Sequence, residues 1–273
     1  MSPTSGKDWL QRYEKRAGKK HPTAETKPAR RGGTPGMGFD TADPTLFLMH
    51  GPVPSSSWMF AKDRTVAKIK TNVVNSLSEA TGVDTTTVND MLATWIYTSN
   101  DQDPNALSMQ EAAAKEFGVP LSDWQKGEIQ KVGERVTGPV RSAPSRNDEL
   151  EVLKAMRDNT QAEFARQGYK PGDTLTLYRG MTLPPDPARK VGSVENYKGG
   201  AIESWSAGKK LAKDFATRSD RYYGKNQQGV VLSMRVPIEN IIGTAITGFG
   251  VVTQGEYVIL GSVQNTVSIE FAT

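Results

Sequence analysis

The 273-residue chain has no cysteine and only two histidines, His21 and His50. The missing thiols exclude disulfides, a cysteine nucleophile, Cys-ligated zinc and iron–sulfur clusters, and two imidazoles are too few for most His-based metal sites, so no metal is expected. No stretch of 18 apolar residues occurs, and no apolar segment follows the charges at the N-terminus. Neither a membrane span nor a secretory leader is therefore expected, and the chain reads as one made in a cytoplasm. Excess basic charge is also missing from most of the chain. The formal net charge is +4, from 34 Lys and Arg against 30 Asp and Glu, but residues 1–46 alone hold 9 basic and 5 acidic residues. Residues 47–273 keep 25 of each sign, which mildly disfavours a nucleic-acid partner for them.

What is present divides the chain in three. Residues 1–46 read as a basic flexible tail and linker, since nine of the 27 residues from Gly18 to Pro44 are Gly or Pro. Within it only residues 7–17, with Trp9, Leu10 and Tyr13, suit a short amphipathic helix. Residues 47–145 read as a helical lobe and residues 146–273 as a core in which one more helix gives way to strands. From Ala61, Val66, Ile69, Val73 and Leu77 recur every three or four residues, with Gly82 as a stop. Asp84 can cap a second helix that buries Val88, Met91, Leu92, Trp95 and Ile96. Ser108–Phe117, Ser122–Val136 and Asn147–Gln167 read as three more. After Pro171 the period falls to two, and Thr174–Arg179, Ala201–Ser206, Gly229–Val236, Glu256–Leu260 and Thr266–Phe271 read as strands, with a helix at Lys209–Thr217. Helices first and strands later predict an α+β fold, not repeated βαβ units. Gly33–Gly38 follows no strand, so it is not a dinucleotide fingerprint.

Three features of the strand-rich half carry chemistry. Arg179-Gly180 ends a predicted strand: the guanidinium is a planar, permanently charged fork for phosphate, and a glycine lets a ligand approach the backbone. Ser204 and Ser206 flank Trp205 and share one strand face, where small hydroxyls can line a polar pocket and orient a carboxylate. Gln254 and Glu256 share a face if their strand begins early, and they follow a Gly-flanked loop bearing Phe249, expected to be exposed. A carboxylate at the mouth of a sheet suits stabilising a developing cation while such a loop positions an acceptor.

In this order the residues resemble the toxin-type mono-ADP-ribosyltransferases, which share an Arg, then a Ser-x-Ser on a strand, then a Glu preceded two residues earlier by Gln or Glu. Arg179 precedes Ser204 by 25 residues, and Ser204 precedes Glu256 by 52; the likeness spans residues 145–273. Trp205 stands where the family often has Thr. The resemblance implies a split, mixed or antiparallel sheet with a cleft for NAD+, consumed as a substrate. It implies Arg179 on the NAD+ phosphate, Gly180 presenting backbone to the nicotinamide amide, Ser204 and Ser206 ordering the pocket, and Phe215 near the nicotinamide. Glu256 would then hold the 2′-hydroxyl of the nicotinamide ribose. Thr217–Gln228 resembles a loop that folds over the dinucleotide, with Arg218 or Arg221 as a second phosphate contact.

For the acceptor, the family pattern at Gln254 argues against arginine, because an amide cannot deprotonate a guanidinium. A protein side chain is the favoured acceptor, with Gln254 and Phe249 recognising it, and a nucleic-acid base is the alternative. Water as acceptor would give a NAD+ glycohydrolase. A third reading is a catalytically inert phage structural or binding protein. The resemblance implies action in a bacterial cytoplasm, and carriage in a phage particle, delivery as an effector, and an antitoxin or virion partner are all compatible with it.

Overall fold

The structure is a computed structural model and describes residues 64–98, 104–135, 144–218, 227–251, 255–261 and 265–272. The expected tail, its short helix, Arg221 and Gln254 lie outside these residues. All described residues fall in one compact unit.

Helix α1 (Arg64–Thr81) buries Val73, Val74 and Leu77 and ends at Gly82, whose φ of +76° lets its N–H turn back to the Ser78 carbonyl at 2.8 Å. Helix α2 (Thr85–Thr98) starts where expected: the Asp84 carboxylate accepts from the Thr86 and Thr87 amides, each at 3.0 Å. Its stripe of Val88, Met91, Leu92 and Trp95 is buried. Helix α3 (Pro104–Phe117) begins four residues ahead of the expected Ser108, with proline at its first position, where a missing N–H costs no helical bond. Helix α4 (Asp123–Arg135) follows, and α5 (Arg146–Arg166) opens on a reciprocal capping box between Ser145 and Asp148.

Seven strands come next: β1 (Thr174–Leu183), β2 (Val194–Tyr197), β3 (Ile202–Ser206), β4 (Gln228–Pro237), β5 (Ile241–Thr244), β6 (Glu256–Leu260) and β7 (Asn265–Ala272), with α6 (Lys209–Arg218) between β3 and β4. They form one sheet in the order β2-β7-β4-β1-β3-β6-β5, every pairing antiparallel. The α+β class with helices mostly ahead of the sheet is therefore as expected. Strands β2 and β5 were not anticipated. Val-Glu-Asn-Tyr is a four-residue stretch with Val194 62% exposed, and Ile-Ile-Gly-Thr is too short to display a period.

The sheet is uneven along β1. Ten register pairs join β1 to β4, from Thr174↔Pro237 to Leu183↔Gln228, whereas Tyr178↔Ser206 is the single register pair between β1 and β3. Because strand residues alternate direction, Ile202, Ser204 and Ser206 all turn their backbone groups toward this sparse seam. Side chains fill it. The Gln110 amide from α3 both accepts from the Ile202 N–H and donates to its carbonyl, each at 2.9 Å, and Arg179 donates to the Ser204 carbonyl at 3.0 Å. Hydrogen bonds contribute about 1 kcal/mol each, so burial of Ile202 and Trp205, at about 1.5–3 kcal/mol per side chain, is the larger force holding β3.

Two apolar clusters flank the sheet. Ile202, Ile242, Phe249 and Val258 join Val73, Leu77, Trp95, Met109 and Met156 of the helices in the first. Trp205, Tyr257 and Ile259 join Phe164, Leu177, Leu232 and Ile269 in the second. Ala112 and Ala113, both fully buried, keep the α3 surface low against α5.

Candidate active site

Strand β6 starts at Glu256, and the preceding Gly255 has φ +52°, a left-handed conformation that favours glycine. The strand thus spans Glu256–Leu260 as expected, and the earlier start on which a face shared with Gln254 depended is blocked at Gly255. Glu256 lies directly opposite Ser206 and diagonal to Ser204, so all three share one face. Its carboxylate is 3% exposed. One oxygen accepts from the Trp95 indole N–H at 3.0 Å, the other from the Val251 amide at 2.7 Å, and the Ser204 hydroxyl also donates to the group.

Lys70 of α1 completes this environment. Its ammonium donates to the carbonyl of Gly250 and, at 3.5 Å, to that of Gly248. It also lines an open groove with Thr71, Asn75 and Asn89. Burial pushes the Glu256 carboxyl above its ordinary range, while Ser204, Val251, Trp95 and the charge of Lys70 pull it back. Burial lowers Lys70 to about 8, against the opposing attraction of Glu256. An indole and a backbone amide can only donate, and donors on both oxygens are the set that an ionised carboxylate accepts.

Arg179 sits on the next strand but one. Besides the Ser204 carbonyl, its guanidinium faces Glu203 at 3.6 Å, with side chains 11% and 4% exposed. Burial opposes its charge and is outweighed by Tyr197, Glu203 and Glu256. The Tyr197 phenol is itself pushed up by burial and donates to Glu203 at 2.7 Å, so it is neutral near pH 7 and the two glutamates are the counter-charges. Glu203 also accepts from the Gly200 amide at 3.2 Å and the Trp205 indole at 3.3 Å.

Of the residues expected at the site, Arg179, Ser204 and Glu256 form one chain of contacts, with Ser206 opposite Glu256. Ser206 is also a turn residue: its hydroxyl accepts from the Gly208 amide at 3.0 Å on entry to α6. Gly180 has a packing role that the sequence does not show. A Cβ there would lie 1.7 Å from the Ala212 carbonyl oxygen of α6, so packing of that helix requires glycine here and fills its side-chain side. Phe249 is corrected, being fully buried: Gly248 and Gly250, where a Cβ would meet Met156 at 2.3 Å and the Glu256 carbonyl at 2.5 Å, let the loop press Phe249 into the helical cluster. It cannot touch an acceptor there. Phe215, on α6, is 45% exposed, and Arg218 is the last residue of that helix.

Sequence reasoning missed four residues. Trp95 was placed correctly on the buried stripe of α2, but its N–H donor role depends on a partner 161 residues away. Glu203 stood inside the quoted Glu-Ser-Trp-Ser stretch, and its alternate face was the available signal. Tyr197 and Lys70 had none. Among the described residues no group of three or more His, Asp or Glu could hold a metal, and no helix is long and apolar enough to cross a membrane. Comparison with known proteins finds no matching family model, no matching curated protein and no matching solved structure.

Proposed function

We propose that the chain is a NAD+-dependent mono-ADP-ribosyltransferase that transfers ADP-ribose to a macromolecule, a protein side chain other than arginine being favoured. One observation carries this reading. Residues separated by 25 and 52 positions are gathered on β1, β3 and β6 into a linked set, in which Arg179 holds the Ser204 backbone and the Ser204 hydroxyl holds Glu256. The finer reading of the fold, an ADP-ribosyltransferase core with a cleft at the β1–β3 seam, is supported by the sparse pairing there.

In this reading the glycosidic bond of NAD+ breaks with its electron pair passing to nicotinamide, which leaves neutral and so needs no general acid. The acceptor bonds to the ribose carbon and releases its proton to solvent. The Glu256 carboxylate has about four acceptor sites and three named donors, which leaves room for a ribose hydroxyl and places negative charge where positive charge develops. Arg179, permanently charged, suits a phosphate oxygen.

A second reading, an inert binding protein, draws on the 3% exposure of Glu256 and the protein donors already on it. One experiment separates the two. Purified protein is incubated with labelled NAD+, with and without bacterial lysate, and label and free nicotinamide are followed. Protease-sensitive label supports the proposal, nuclease-sensitive label moves the acceptor to nucleic acid, and nicotinamide alone indicates hydrolysis. Neither product would sink the transferase reading and favour the inert one.

A further inference from the structure

The donors on Glu256 come largely from outside the sheet. Trp95 belongs to α2 and reaches one oxygen; the backbone of Val251 reaches the other. The segment bearing Val251 is in turn tied down by Lys70 of α1 through the carbonyls of Gly248 and Gly250. Trp95 is 2% exposed, and the Glu256 amide closes the same turn on the Val251 carbonyl at 3.4 Å. The helices preceding the sheet therefore build one whole side of the carboxylate's pocket.

We infer that Trp95 and Lys70 are positioning residues for Glu256: Trp95 fixes one carboxylate oxygen directly, and Lys70 fixes the 248–251 turn that supplies the donor to the other. Their catalytic meaning rests on the proposed role of Glu256, but their effect on the carboxylate does not. Among the described residues, Lys70 from α1 is the charged group on the Glu256 face, and the charge of Arg179 reaches Glu256 from the other face of the sheet. Glu203 on β3 turns to the opposite face, toward Arg179 and Tyr197, and β5 offers only Ile241, Ile242, Gly243 and Thr244, none titratable. Among the described residues Lys70 is thus the cation near Glu256 that titrates near neutrality, because a guanidinium stays charged throughout.

Two readouts on the full chain test this. The first needs no activity: the Glu256 carboxyl is titrated by carbon NMR on glutamate-labelled protein, its resonance identified by loss in Glu256→Gln. Trp95→Phe removes the N–H and keeps most of the ring, and Lys70→Met removes the charge; each is expected to raise the Glu256 titration midpoint by roughly one pH unit. Lys70→Arg should leave it near that of the parent. An unchanged midpoint in both Trp95→Phe and Lys70→Met, with native circular dichroism, overturns the inference whether or not the protein turns over NAD+.

The second readout is the pH profile of nicotinamide release. The parent should show an acid limb set by Glu256 and a basic limb near pH 8 set by Lys70. Lys70→Arg should keep the acid limb and lose the basic one, whereas Lys70→Met should also move the acid limb upward. A merely structural lysine would lower activity equally at every pH. Shifted midpoints in a protein that releases no nicotinamide would uphold the positioning and reject the transferase.

Discussion

Glu203 and Glu256 lie on neighbouring antiparallel strands, both almost without solvent exposure, and yet the cations beside them differ in kind. Each accepts from an indole, a backbone amide and a hydroxyl, but Glu203 faces a guanidinium whose charge never leaves. Glu256 has a lysine that releases its proton near pH 8. The first arrangement is a neutralised buried pair, which resists change because removing either partner strands a charge. The second sets a carboxylate near a cation whose charge can leave. Burial alone does not distinguish the two carboxylates; the cation beside each does.

The comparison can be broken in several ways. The largest expected loss of stability is for Glu203→Ala, which leaves Arg179 buried beside a vacated partner and should lower stability by about 3–5 kcal/mol in denaturant unfolding. Glu256→Gln should reverse the balance. Turnover of NAD+ is expected to fall by about 10²–10³-fold, while one amide donor placed among donors costs about 1–3 kcal/mol of stability. If nicotinamide release survives that change, Glu256 is not the catalytic carboxylate. Tyr197→Phe, which deletes only the donor to Glu203, should cost about 1.5–3 kcal/mol in the same unfolding assay.

The smallest effect is a pH dependence confined to the Glu256 side. Between about 8 and 10.5 the folded chain has released the Lys70 proton and the unfolded chain still holds it. Stability therefore rises with pH across that window, on the order of 1 kcal/mol for a partly solvated group, and Lys70→Met should flatten the rise. Arg179, on the Glu203 side, contributes no such slope. For Glu256 the sign is opposite: its raised carboxyl favours the folded state below the ordinary carboxylate range, and that contribution is lost as pH climbs through the folded value.

Much of this arrangement was legible in local pattern. The helix stripe through Val88 and Trp95, the Asp84 cap and the five longer strands all follow from periodicity and capping, which act within a few residues. So did the gathering of Arg179, Ser204 and Glu256 as candidates. Phe249 was misjudged because glycines on either side resemble an exposed loop, although here they allow backbone to approach Met156 and Glu256 closely. Lys70 and Gln110 gave no signal, since a lysine or glutamine on a helix is ordinarily solvated and only the distant Gly250 and Ile202 backbones reveal otherwise.

The side chains that fill the β1–β3 seam have a consequence for solubility. Where β1 departs, β3 would otherwise present a row of unpaired peptide groups, the kind of edge onto which a strand from another molecule can add. Gln110 occupies Ile202 as a neighbouring strand would, and Arg179 takes the Ser204 carbonyl. A gap opened inside a sheet is thereby kept from becoming a template for aggregation.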